Sequence, residues 1–289
     1  MRRFFLLYVV VFLTALSLSA ISGAKQANLK QEYALEIAQS ETLGSLIYAK
    51  DIAAWVATDK MIEELGANLQ GLPLKGWVIE QEKDSKNWRV SFFGERKHKT
   101  AIYYQVWVEG QKITKSQINR DGLKPNAQQI AMWRARQDAL HRLNNGDYLR
   151  CSKSYNTVII PYEYDLGGTP QVGMYVYLFS ATKKSGEAVI GGHHRLDYSA
   201  DGKRLNGHLA FTRSCMEFNT RAKDGKMVEA LFMTHLQSSY PLEHHVFVSL
   251  SFQSIPFYVM TQDNSALWSV EKGKVRYIPM VKTDKEKNK

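Results

Sequence analysis

The spacing of apolar and polar residues changes along the chain and predicts a helical start followed by strands. Residues 29–66 are rich in glutamate, alanine and leucine, which favours helix, and Gly44 and Gly66 mark an expected break and an expected end. Short runs of β-branched and aromatic residues follow at 77–80, 88–93 and 101–108, with polar turns between them. This pattern predicts helices followed by a short antiparallel meander.

The second half predicts one more helix and then strands almost to the end. Pro125 opens a helix to about Leu143, and Asn144-Asn145-Gly146 ends it, in the order of proline and glycine that helices prefer. Strand-like runs, many separated by glycine-containing turns, cover residues 155–162, 172–180, 187–198, 205–215, 228–234, 245–252, 256–261 and 267–278. The predicted fold class is α+β: N-terminal helices with a small antiparallel sheet, then a larger antiparallel β domain of sandwich or barrel type.

These patterns divide the chain into four expected parts. Residues 1–24 form a signal peptide, 25–147 the helical and meander domain, 148–281 the antiparallel β domain, and 282–289 a tail expected to be disordered because it has no apolar residues.

The first 24 residues have the pattern of a secretory signal peptide. Met1, Arg2 and Arg3 precede an apolar core from Phe4 to Leu18, and small residues follow up to Ala24. The alternative is an uncleaved anchor, but a spanning helix needs roughly 20 apolar residues. We therefore expect a periplasmic or secreted protein with no transmembrane span in its mature chain.

Charge argues against nucleic acid as a partner. Without Arg2 and Arg3 the chain carries 36 basic and 28 acidic residues, spread evenly over its two halves. A nucleic-acid site would concentrate such an excess in one patch or motif. The expected partner is an unidentified envelope component or another protein.

Two cysteines, Cys151 and Cys215, are the only ones in the chain. In an oxidising compartment a single pair predicts one disulfide bond. The alternative makes Cys215 a catalytic thiol, although no thiol-hydrolase signature surrounds it.

Histidines are concentrated in one part of the second half. Six of the eight lie between residues 193 and 245. If these segments are strands, His194, His235 and either His244 or His245 are expected to converge within a sheet. Three imidazoles with an open position would suit zinc and a bound water, and Glu243 could then act as general base. No HExxH or HxH motif accompanies them, so the alternative is that they are hydrogen-bonded structural residues.

Several segments of the second half resemble one group of proteins. The segments are 155–161, Gly191-Gly192-His193-His194-Arg195, Thr212-Arg213-Ser214-Cys215, Thr234-His235 and 241–247. Together, over roughly residues 150–280, they are similar to secreted proteins of Gram-negative bacteria for which no reaction is known. The resemblance implies an envelope setting. In topology alone, the N-terminal helix and meander are similar to small cystatin-like domains, whose sheet curls around a helix.

The sequence thus favours an exported binding or accessory protein with an unidentified ligand and no required cofactor. The alternative is a metal-dependent hydrolase that uses the histidine-rich stretch, with zinc as its metal. No nucleophile elbow or zincin helix supports an enzyme, but scattered residues can assemble a site, which leaves enzymatic activity open.

Overall fold

The structure is a computed structural model that describes residues 29, 31–82, 85, 87–182, 186–222 and 225–279. The expected signal peptide and C-terminal tail lie outside the described residues. The described part is mixed α and β, with three α-helices and mostly antiparallel sheets. None of its helices is both long and apolar enough to cross a bilayer.

The chain forms two units. Of the described residues, those from 45 to 228 form the central unit, and those up to Gly44 together with those from Glu229 to residue 279 form the terminal unit. Helix α1, Ala34–Leu65, gives its first turns to the terminal unit and the remainder to the central unit. The expected division between residues 147 and 148 falls inside the central unit.

A four-stranded antiparallel meander follows helix α1 in the central unit. Its strands, in spatial order, are β1 Leu74–Gln81, β2 Trp88–Arg96, β3 Lys99–Glu109 and β4 Lys112–Leu123. The first three are the predicted runs. Strand β4 was missed because most of its residues are polar and exposed, so it lacks the apolar alternation of a half-buried strand.

Helices cover both faces of this sheet. On one face, Ala53, Ala57 and Met61 of α1 pack against buried residues of β2 and β3. On the other face, Val78 and Phe93 contact helix α2 (Ala127–Asn144). The side chains of Asn126 and Gln129 form a reciprocal capping box at the start of α2, two residues beyond the predicted start at Pro125.

Helix α2 also packs against a second antiparallel sheet of the central unit. The sheet contains, in order, β5 Tyr155–Leu166, β6 Thr169–Ser180, β8 His194–Ser199 and β9 Leu205–Ala210, and a separate pair joins β7 Glu187–Val189 to β10 Glu217–Asn219. The single strand predicted over 187–198 is wrong, because the chain leaves the sheet around Gly191-Gly192. A β-carbon on Gly191 would lie 2.4 Å from the Met216 amide nitrogen, so this close approach requires glycine.

The predicted disulfide between Cys151 and Cys215 is confirmed. The described residues contain no free cysteine, which excludes the catalytic-thiol alternative for Cys215 in this oxidised state. An intramolecular disulfide is compatible with an oxidising, extracytoplasmic location.

The terminal unit contains a β-α-β crossover. Strand β11, Leu231–His235, pairs in parallel with β12, Phe257–Thr261, and helix α3, Glu243–Ser251, joins them. Strands β13, Ala266–Glu271, and β14, Lys274–Ile278, extend the sheet antiparallel. The strand predicted over 245–252 is therefore wrong: parallel neighbours need a crossover connection, and this segment supplies it as a helix despite its β-branched valines.

Helix α1 continues through Gly44, where the sequence predicted a break. A β-carbon at this position would lie 2.5 Å from the Val246 side chain and 2.7 Å from the Glu243 carbonyl oxygen. Glycine at 44 therefore allows helix α3 to pack closely on helix α1 inside the terminal unit.

Removing the disulfide should destabilise the central unit. A Cys151→Ser/Cys215→Ser double variant should lose about 4 kcal/mol of unfolding free energy, the chain-entropy value for a loop of this length. Denaturant unfolding measures the loss. Intact mass after alkylation of the denatured, unreduced protein is the check: two alkylated thiols would contradict the disulfide.

A Gly44→Ala substitution should destabilise the terminal unit, although alanine within a helix normally gains about 1 kcal/mol over glycine. The new methyl group would overlap Val246 and a backbone oxygen, and overpacking of this kind costs about 1–3 kcal/mol. Thermal unfolding measures the sign. Ser45→Ala, at an exposed position of the same helix, is the matched control and should be neutral or slightly stabilising.

Candidate metal centre

Three of the four candidate histidine ligands come together in the terminal unit. His235 is the last residue of β11, and His244 and His245 lie in the first turn of α3. One nitrogen of each ring lies within 4.8 Å of the others. The exposed fractions are 1% for His235 and 0% for His244 and His245. Only seven residues separate the end of β11 from the start of helix α3, so the first turn of the helix lies near His235 at the carboxyl end of that strand.

The hydrogen bonds of His235 fix the tautomer of its ring. Its Nε2 lies 2.9 Å from Ser238 Oγ, and the Ser238 hydroxyl donates its proton to the Tyr240 carbonyl oxygen at 2.5 Å. Ser238 can therefore only accept from His235, so the proton of the neutral ring is on Nε2. Nδ1 then carries a lone pair, and it has no hydrogen-bond partner among the described residues. One ring nitrogen held by a second group and the other left as an acceptor is the usual arrangement of a metal-binding histidine.

Burial lowers the pKa of His235 to about 4. The ring is therefore neutral at neutral pH, which is the protonation state that a metal ligand requires.

His245 has a structural role at the start of helix α3. Its Nδ1 accepts the backbone N–H of Leu242 at 2.9 Å and so satisfies one of the donors at the helix terminus. In this arrangement the proton of a neutral ring is on Nε2. Coordination through His245 would need Leu242 to lose its acceptor, and a buried donor left unsatisfied costs about 1–3 kcal/mol. Structural zinc binding contributes about 10–16 kcal/mol in small domains, so a metal can displace this bond.

The separation of the three nitrogens also bears on whether a metal fits. Two ligands on one tetrahedral zinc, with bonds of about 2.1 Å, are about 3.4 Å apart. Nitrogens within 4.8 Å of one another therefore need to move by roughly 1 Å to share an ion. Rotation of the three side chains can supply this movement, so the three histidines fit a metal.

Glu243 is buried beside this cluster, at the first position of α3. A helix N-terminus carries partial positive charge and disfavours a cation by about 0.3–1 kcal/mol. A carboxylate in the first turn opposes that effect. Glu243 thus directly precedes His244, and it lies on a helix and not on a strand.

His194, the fourth candidate ligand, belongs to the central unit. Its Nε2 donates to the Leu149 carbonyl oxygen at 2.7 Å, so Nδ1 is the acceptor and receives the Nε2 proton of His208 at 3.1 Å. Both nitrogens of His194 are therefore engaged. The alternating burial along β8 shows that His194, Leu196 and Tyr198 face inward on the same side of the strand.

Sequence reasoning missed Ser238 and the backbone N–H of Leu242, which orient His235 and His245. Neither has a signal in the sequence, because a serine in a loop and a backbone amide belong to no motif. Only their hydrogen bonds to the two histidines in the folded structure identify them.

Comparison with models of known protein families, with curated proteins and with solved structures finds no match to this chain. The resemblance to secreted proteins of Gram-negative bacteria stays a prediction.

Buried His193 should make the central unit less stable in acid. It is 2% exposed, and burial, with a smaller contribution from neighbouring His194, lowers its pKa to about 3. An unfolded histidine has a pKa near 6.5, so between about pH 6.5 and 3 the unfolded chain binds the extra proton. The stabilising contribution is complete above that range and is lost as the pH falls.

Between pH 7 and pH 5 the wild-type protein should therefore lose about 2 kcal/mol more unfolding free energy than a His193→Gln variant. Urea unfolding at both pH values measures the difference. His98→Asn, at a fully exposed turn position, should keep the wild-type pH dependence. Identical slopes for all three proteins would contradict the assignment.

Proposed function

We propose that this chain is an exported binding or accessory protein of the cell envelope, and that its terminal unit holds a zinc ion on His235, His244 and His245. The observation that supports the metal site is the convergence of three buried ring nitrogens within 4.8 Å. The confirmed disulfide supports the envelope location, since such bonds persist in oxidising compartments.

The enclosure of the cluster favours a structural metal over a catalytic one. Three imidazoles leave the fourth tetrahedral position of a zinc ion to a water molecule, as at catalytic sites, but a catalytic zinc must also be reached by its substrate. All three imidazoles are at most 1% exposed. When bound, the ion would supply a cross-link between the end of β11 and the start of α3, and the imidazoles would hold it as neutral donors.

The metal-dependent hydrolase stays an alternative because Glu243 is buried at the position next to His244. In that role the carboxylate would take a proton from a water molecule. A hydrolase would also require an opening through which substrate reaches the cluster.

Metal content of the untagged protein, purified from the periplasm and analysed by elemental mass spectrometry, tests the proposal. We expect close to one zinc per chain in the wild type and in His194→Ala, and its loss in His235→Ala. Free zinc at about 100 times its dissociation constant should stabilise the wild type by about 2.7 kcal/mol. The exposed-site variant His98→Asn controls for nonspecific binding. Wild-type protein that holds no metal after incubation with zinc and gel filtration would overturn the metal site.

A Glu243→Gln variant separates the two functions. A structural site predicts full zinc content and no zinc-dependent hydrolysis of ester, amide or phosphoester test substrates by either protein. Hydrolysis by the wild type that disappears in Glu243→Gln at unchanged zinc content would instead establish the hydrolase.

A further inference from the structure

A groove of about 920 Å³ lies along helix α2 in the central unit. Polar and apolar side chains both line it. Among them are Lys75, Ile130, Trp133, Arg134, Arg136 and Leu140. No part of the proposed zinc site belongs to this unit, so the groove is independent of it.

Arg136 is the unusual residue of the groove, because its charge is buried without a carboxylate. Its side chain is 5% exposed. Its Nε donates to Thr157 Oγ1 at 2.9 Å, and one terminal nitrogen donates to Gln137 Oε1 at 3.1 Å. The guanidinium carbon also lies 5.6 Å from the ring centre of Trp77 and 5.3 Å from that of Trp133. None of the ion pairs among the described residues includes Arg136.

The absence of a side chain at Gly76 leaves space for this guanidinium. A β-carbon on Gly76 would lie 2.5 Å from the guanidinium carbon and from both terminal nitrogens. Gly76 has a φ of +152° and lies at an irregularity in the pairing of β1 with β2. Any other residue there would displace Arg136.

A negatively charged partner would offset the cost of burying this side chain. Burial lowers the pKa of Arg136 to about 10, so the group is still positively charged at neutral pH. A buried ion without a counter-charge is strongly destabilising, and a hydroxyl, an amide oxygen and two aromatic faces offset only part of that cost. The missing negative charge can come from outside through the groove, which Arg136 lines.

The other charges of the groove agree with an anionic ligand. Arg134 donates to the backbone oxygen of Asp201 at 2.6 Å and leaves its own charge without a carboxylate. Lys75 is neutralised by Glu95 at 2.7 Å. The acidic lining residue Asp138 already accepts from Arg142 and from the Tyr198 hydroxyl, each at 2.7 Å. The balance of charge facing the groove is positive.

We propose that this groove binds an organic oxyanion, a carboxylate or a phosphate ester, with Arg136 as its charge partner and an apolar body of the ligand against Ile130, Trp133 and Leu140. A guanidinium presents donors in a planar fork that matches either oxyanion. The indole and the aliphatic side chains supply the apolar surface typical of small-molecule sites.

Isothermal titration calorimetry with octanoate, hexyl phosphate and neutral 1-hexanol tests the proposal. The wild-type protein should bind at least one anion saturably and the alcohol at least about tenfold more weakly. Arg136→Gln should weaken anion binding roughly 10- to 100-fold, the range for loss of a charged hydrogen-bonding partner. Arg120→Gln removes the same charge from an exposed strand position of the same unit and should leave the affinity unchanged.

Circular dichroism shows whether Arg136→Gln remains folded. If it does not, Arg136→Lys keeps the charge and removes the planar fork, and it should weaken the anion that the wild type binds best. The two anions distinguish a carboxylate from a phosphate ligand. Wild-type protein that binds neither anion, or binding that a folded Arg136 variant leaves unchanged, would overturn the proposal.

Discussion

The parallel pairing of β11 with β12 is the constraint on which the histidine cluster depends. An antiparallel neighbour could follow β11 after a tight turn, but a parallel neighbour requires the chain to cross back over the sheet. Helix α3 makes that crossing, and its first turn carries His244 and His245. The crossing helix begins near the end of β11, and its first turn therefore brings His244 and His245 close to His235.

The close packing of α3 depends in turn on a residue far away in sequence. Gly44 leaves room for Val246 and for the carbonyl oxygen of Glu243, so the absence of one side chain in α1 sets the position of the helix that carries two ligands. Glu41, one turn earlier in α1, accepts the backbone N–H of Val275 at 2.9 Å and the ammonium of Lys274 at 2.7 Å. Hydrogen bonds as well as close packing therefore tie the first turns of α1 to the rest of the terminal unit.

The sequence allowed much of the fold to be predicted where local signals agree with tertiary packing. Helix α2 has Asn126 and Gln129 at its start, and the runs that became β1, β2 and β3 are rich in aromatic and β-branched residues. The prediction failed at α3, where Val246, Phe247 and Val248 favour a strand by local propensity but the crossover requires a helix. The strand at 187–198 failed for a different reason, since the close approach of Gly191 to Met216 is a long-range contact.

The candidate sites show the same limit. The count of histidines identified the ligand type, and His235, His244 and His245 do converge. Only the structure shows that His194 belongs to the central unit and is engaged by Leu149 and His208. Nothing in the sequence distinguishes Arg136 from Arg134 or Arg142 on the same helix. What distinguishes Arg136 is burial without a carboxylate, and burial is a property of the packed layers.

The histidine cluster is better prepared for a metal than its loose spacing suggests. Its three residues come from the short segment between 235 and 245, so little chain entropy is lost in bringing them together. The Ser238 hydroxyl already holds the His235 ring in the tautomer that leaves a lone pair on Nδ1. His245 is committed instead to the Leu242 amide. Losing that bond costs about 1–3 kcal/mol, well below the free energy of structural zinc binding, so the bond orients the ring without excluding a metal ion. The Ser238 bond therefore prepares His235 for coordination before a metal arrives, whereas the Leu242 bond orders the first turn of α3 and must break when His245 coordinates.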